Sequence, residues 1–122
     1  MTPALLALLA GIMGAAGVAL AAAAAHARPG AGLDSAAYIL LFHAAAILGG
    51  AALSQQDVLW RPLATLALAG WVLGSLLFAG DIALRAFADQ RLFAMAAPTG
   101  GTILIAAWLA VAASAVIALA KS

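Results

Sequence analysis

Cysteine is absent from all 122 residues, which excludes disulfides, thiolate nucleophiles and thiolate-held metals at once. Charge is almost as scarce. Only 7% of the residues are Asp, Glu, Lys or Arg, where a soluble domain carries about a quarter. A water-soluble protein of this size needs a polar surface, and nine charged side chains do not supply one. The net charge of +1 gives no reason to expect nucleic acid as a partner. There is also no run of basic residues of the kind that clamps anionic lipid. Aromatic residues are few, at 7%. What remains is apolar and small: 68% of the chain is hydrophobic, 12 residues are glycine, and the mean hydropathy is +1.20. The excess apolar surface must face lipid, and slim Ala- and Gly-rich helices can approach one another closely.

A helix needs about 20 predominantly apolar residues to cross the hydrocarbon core. Residues 3–25 contain no charge and form the first span. His26-Ala-Arg28-Pro29-Gly30-Ala-Gly32-Leu-Asp34-Ser35 reads as a turn that ends in a helix-opening Asp-Ser pair. The second span covers about residues 36–53 and stops at Ser54-Gln55-Gln56-Asp57. Trp60-Arg61-Pro62 is an interfacial anchor before the third span, at about 63–80. Residues 81–101 read as an interfacial segment, in which the third helix runs into the headgroup layer and Asp81 pairs with Arg85 at i, i+4. Pro98-Thr99-Gly100-Gly101 is expected to break or kink the chain before the fourth span, at about 102–120. The predicted fold is all-α: an integral membrane four-helix bundle with short loops and no soluble domain. The first segment ends in Ala25-His26-Ala27, like a cleaved signal peptide. However, no Lys or Arg precedes it and it outruns a usual signal core, so it is expected to stay as a span.

This topology collects His26, Arg28, Asp34, Asp81, Arg85, Asp89, Arg91 and Thr99 at one face of the membrane. Only Asp57, Arg61 and Lys121 lie at the other. His43 sits ~10 Å below the polar face. An ionisable group at that depth is a functional hypothesis by default. It can serve as a proton-relay member, a metal or haem ligand, or a contact to a bound polar head. The plainer reading, preferred here, is a neutral imidazole bonded to a neighbouring helix. His26 is placed to meet His43, and two histidines can ligate haem iron. Without carboxylate or thiolate support that signal is weak, so no metal or cofactor is expected. His26, His43, Asp81 and Arg85 are the candidate polar site.

Gly70-Trp-Val-Leu-Gly74 is a GxxxG pattern in the third span, and Gly11, Gly14 and Gly17 give the first span a small face. Both are expected to serve packing within the bundle. The hydroxyls Ser35, Ser54, Thr65, Ser75, Thr99, Thr102 and Ser114 form no nucleophile elbow, and no phosphate-binding loop occurs. Pro98-Thr99-Gly100-Gly101 is the one glycine-rich break able to present backbone groups to a ligand. A kinked helix start is the simpler account of it.

Four elements occur together in order. They are Gly11-x-x-Gly14-x-x-Gly17 leading to Ala25-His26-Ala27; Tyr38-x-x-x-Phe42-His43-Ala44-x-Ala46-Ile47-Leu48; Gly74-Ser75-x-x-Phe78-x-Gly80-Asp81; and Pro98-Thr99-Gly100-Gly101 followed by Trp108. In order and spacing they resemble the domain of unknown function 423 family, small four-helix membrane proteins of bacteria similar to transmembrane protein 256 of animals. The resemblance covers nearly the whole chain. It implies four spans, a retained first helix and a multi-pass bacterial inner (plasma) membrane location. His26 and His43 match motif positions. Relatives commonly carry Ser where this chain has Asp81, which makes the Asp81–Arg85 pair a local variation. Their basic C-terminal ends favour termini inside. The resemblance assigns no activity.

The expected function is therefore a non-enzymatic membrane protein, either an accessory subunit of a larger membrane complex or a self-associating structural bundle. Its expected partners are membrane lipid and other membrane subunits or further copies of itself. The alternative is a small oligomeric transporter or channel that uses the His/Asp end. A third reading is a haem- or metal-binding membrane protein.

Overall fold

In the computed structural model, which describes residues 2–122, four helices account for nearly the whole chain: α1 (Pro3–His26), α2 (Leu33–Gln55), α3 (Arg61–Ala88) and α4 (Ala96–Lys121). All four are long and apolar enough to cross a membrane, and the described residues contain no strand. The backbone explains the choice. In hydrocarbon every N–H and C=O must be satisfied within the protein, and a helix does so within one segment. Side-chain hydroxyls in the spans follow the same rule. Thr65 Oγ1 donates to the Arg61 carbonyl and Thr102 Oγ1 to the Pro98 carbonyl, each at 2.9 Å.

The ends are set by local chemistry. Thr2 caps α1 by accepting the Leu5 N–H at 3.1 Å, with Pro3 at the first helical position, where no N–H is needed. α2 begins earlier than the Asp-Ser pair suggests. Gly32 turns the chain with φ of +81° and stands at the cap, so Asp34 and Ser35 fall inside the first turn. An acid there favours the positive end of the helix dipole. Arg61 closes the other end of α2. Its guanidinium donates to the Ser54 and Gln55 carbonyls at 3.1 and 3.3 Å, satisfying groups that the helix leaves unpaired.

Residues 81–101, expected as an interfacial segment, are divided between two helices and a connector. α3 keeps residues 81–88, a short connector follows, and α4 begins at Ala96. The expected break at Pro98–Gly101 is therefore absent. Pro98 lies in the first turn of α4, where a missing N–H costs nothing because the helix has no carbonyl of its own one turn back. Gly100 and Gly101 are helical.

Nor is the bundle closed. α2 and α3 form the middle, α1 lies against α2, and α4 lies against α3. No Cα of α1 comes within 8 Å of a Cα of α4, and the same holds between α2 and α4. The burial of the apolar windows follows this order: 44% of positions in α2 and 39% in α3 are buried, against 22% in α1 and 17% in α4. The outer helices give most of their surface to lipid.

Glycines decide the closest approaches. A methyl group on Gly100 would stand 2.7 Å from both the Gly74 carbonyl oxygen and the Phe78 nitrogen, and one on Gly74 would stand 2.8 Å from the Gly100 carbonyl oxygen. The GxxxG stripe of α3 thus faces α4, since a methyl on Gly70 would reach Ala107 at 3.0 Å. On α1 the expectation holds only in part. Gly14 faces Ala44, and Gly17 lies under Leu41 and the Ala37 carbonyl, but Gly11 meets open space. Of the Gly49–Gly50 pair in α2, Gly50 seats Leu68 and Trp71, whereas Gly49 meets open space.

Gly100→Ala is expected to cost about 1–3 kcal/mol, because it presses a methyl onto backbone rather than onto a flexible side chain. Gly11→Ala should lie within about 1 kcal/mol of the wild type. Reversible unfolding of the two variants in detergent, followed by tryptophan fluorescence, measures the difference.

Candidate functional site

His43 lies in the middle of α2, about 15 Å from the start of the helix, and is only 6% exposed. Its two ring nitrogens have different partners. Nδ1 is 2.8 Å from the Ile39 carbonyl oxygen one turn back, and Nε2 is 3.1 Å from Trp108 Nε1 on α4. A carbonyl only accepts and an indole N–H only donates. The imidazole is therefore neutral, with its proton on Nδ1 donated to Ile39, and with Nε2 accepting from Trp108.

Around it stands an aromatic cluster drawn from three helices. The ring centroids of Trp71 and Trp108 are 4.4 Å apart, and that of His43 lies 6.3 Å from Trp71 and 5.9 Å from Trp108, both edge-on. Trp108 reaches from α4 to His43 on α2 and is 47% exposed. Two polar atoms in this region, Trp71 Nε1 and Ser75 Oγ, are buried without a hydrogen-bond partner. They lie one turn apart on α3.

The polar end is organised by Asp81. Its carboxylate is 4% exposed and engages two groups. Oδ1 accepts the Leu92 N–H at 3.0 Å, and Oδ2 is 3.3 Å from Arg85 Nη2. A buried carboxylate without such partners would be strongly unfavourable. Here it ties the last turns of α3 to the connector that leads into α4. Asp89 ends the helix in the left-handed region at φ +53°, a conformation that Asp adopts more readily than most residues. Arg91 Nη1 donates to the Ala94 carbonyl at 3.2 Å, and the Arg28 guanidinium stacks over Phe87 at 5.7 Å.

The candidate polar site is thus divided by depth. Gly14 faces Ala44 and Gly17 faces Ala37 and Leu41, so the level of His43 corresponds to about residue 14 of α1. His26 is a dozen positions further along, about 18 Å away along the helix axis. His26 and His43 do not meet, because the hairpin of α1 and α2 carries one to the surface and the other inward. Asp81 and Arg85 do meet, at the surface end. Among the described residues no three His, Asp or Glu side chains gather as a metal-binding group.

The partners of His43 left a readable signal. Tryptophan in membrane helices concentrates at the two interfaces, yet Trp71 and Trp108 stand mid-span, each with an N–H to satisfy. A mid-span Trp and a mid-span His are natural partners. The other buried tie was harder to foresee. Ser114, fully buried in α4, donates its hydroxyl to the Trp60 carbonyl at 2.8 Å, and the Trp60 N–H returns to the Ser114 carbonyl at 3.3 Å. At that end Asp57 pairs with Arg61 at 3.1 Å, and the Lys121 ammonium lies 5.5 Å from the Trp60 ring centroid.

The family model described as protein of unknown function (DUF423) matches residues 13–101. The chain is also similar to a UPF0382 membrane protein of Haemophilus influenzae, with 30% identity over 102 residues that cover 78% of this chain and 80% of the relative. No solved structure matches.

Trp108→Phe keeps the ring and removes the donor, leaving His43 Nε2 buried and unpaired. The expected cost is about 1–3 kcal/mol. Adding His43→Leu should recover part of that loss, since no orphaned acceptor remains. A double-mutant cycle in detergent unfolding reads the coupling, and strictly additive losses would show that the bond carries none.

Proposed function

The chain belongs to the DUF423 family of membrane proteins, and from that premise we propose that it is a non-enzymatic, multi-pass protein of the bacterial inner membrane whose role is lateral assembly. It acts either as an accessory subunit of a larger membrane complex or as a self-associating structural bundle. The observation that carries this reading is the open helix row. α4 packs on α3 alone, α1 packs on α2 with only a marginal approach to α3, and both leave most of their positions unburied. In lipid, helices associate through close van der Waals contact and a few hydrogen bonds. A protein with two free flanks and almost no extramembrane mass is suited to that task.

The state of His43 supports the same reading. Both of its nitrogens are engaged by the protein, one by its own helix and one by α4. The residue therefore acts as a register pin for the bundle. Asp81 likewise spends its carboxylate on Leu92 and Arg85. The transporter alternative would require these groups to be released from their partners during each cycle.

Gentle extraction into lipid nanodiscs at native expression level, followed by native mass spectrometry, tests the proposal. A discrete mass containing several copies, or one copy with unrelated membrane subunits, is the expected result. A lone 12.0 kDa chain at every detergent and lipid ratio would count against it. Ion or solute flux in proteoliposomes that His43→Phe abolishes would move the assignment to transport.

A further inference from the structure

We infer that the crevice around Arg85 and Arg91, at the polar end of the bundle, is a site for the phosphate of an anionic phospholipid. The crevice has two lobes that meet at Phe78 and Arg85, with volumes of about 600 and 450 Å³. One is bounded by Gly32 and Ser35 at the start of α2. The other is bounded by Arg91 and Pro98 at the start of α4. It exists because α2 and α4 do not touch there, leaving α3 uncovered between them.

The charge that this crevice presents is positive. The Asp81 side chain is 4% exposed, whereas that of Arg85 is 42% exposed, so the carboxylate neutralises from behind while the guanidinium looks outward. Arg85 meets Asp81 through Nη2, which leaves its remaining donors on the open side. Arg91 uses Nη1 on the Ala94 carbonyl and is otherwise presented to the same lobe. Two guanidinium groups with free donors match the oxygens of a phosphodiester. Arg28 does not contribute, because its guanidinium is seated over Phe87.

Depth selects a lipid as the source of that phosphate. Phe87, Leu92, Phe93 and Met95 flank the arginines and are each about half exposed. Such side chains on a membrane protein lie in the interface, which puts Arg85 and Arg91 at the level of the headgroups. A lipid phosphate arrives there already concentrated and oriented. No basic run is needed, because the fold supplies the cluster from two separate arginines on α3 and its connector.

The test uses the full-length protein in dodecyl maltoside with phosphatidylglycerol, phosphatidylcholine or inorganic phosphate. Retained lipid is read by native mass spectrometry. Wild type should retain phosphatidylglycerol in preference to phosphatidylcholine. Arg91→Gln, which leaves the Asp81–Arg85 pair intact, should weaken that retention about fivefold. Adding Arg85→Gln should weaken it further, and Lys121→Gln, at the opposite face, should change nothing. Circular dichroism and elution volume verify that each variant is folded, and Arg91→Gln alone decides the matter should Arg85→Gln disturb the fold. Equal retention of the two lipids, or unchanged retention in Arg91→Gln, overturns the inference. Displacement of phosphatidylglycerol by millimolar inorganic phosphate would also overturn it, assigning the crevice to the free anion.

Discussion

An imidazole in the middle of a bilayer has no water to bond and must find both partners within the protein. His43 finds one in its own helix, at Ile39, and the other across the bundle, at Trp108. No Cα of α2 comes within 8 Å of one of α4, so this hydrogen bond ties two helices that are not packed backbone to backbone. It also fixes how α4 is turned. Trp108 lies at the edge of the buried face of α4, beside Leu104 and Ala107. The rotation that brings the indole to His43 also presents Gly100 to Gly74 and Ala107 to Gly70. Single interhelical bonds in membranes stabilise by only ~0.6 kcal/mol on average. Their larger effect is on register, because the alternative registers leave a buried acceptor unpaired.

The two ends of the bundle are secured by different means. At one, Ser114 exchanges two hydrogen bonds with the backbone of Trp60, and Arg61 satisfies the last carbonyls of α2. At the other, the Asp81 carboxylate takes an N–H from the connector and an ion pair from its own helix. In both places a side chain from a long helix reaches the backbone of a loop. That arrangement fixes the short connectors to the helices they join.

Between these ends, the surfaces divide by purpose. The polar ties and the tight glycine contacts lie on the faces that α1 and α4 turn toward the inner helices. The outer flanks of α1 and α4 carry large apolar residues such as Leu8, Ile12, Ile105 and Leu109, all more than half exposed. The lateral association proposed for these flanks and the phosphate site proposed at Arg85 and Arg91 would use different parts of the molecule.

The four spans were determined by the sequence alone. Uncharged apolar runs of bilayer length have no other stable conformation in lipid, and polar clusters at 26–35, 54–62 and 81–101 mark the turns between them. The asymmetry of charge followed from topology, as did the pairing of Asp81 with Arg85 at one helical turn. By sequence, Pro98–Gly101 fits either a break or a kinked helix start, because proline and glycine are ambiguous between ending a helix and opening one. Only the seating of α4 on α3 showed that Gly100 must be helical and bare. By sequence His26 is also placed to meet His43, since both are polar and both lie toward one face. Depth separates them, and depth depends on how the α1–α2 hairpin is aligned, which is set by Gly14 and Gly17 against Ala44 and Leu41. The choice of Trp108 as the partner of His43 was decided by tertiary structure for the same reason. A periodic apolar helix has no unique rotation in lipid until a polar group and a close glycine contact select one.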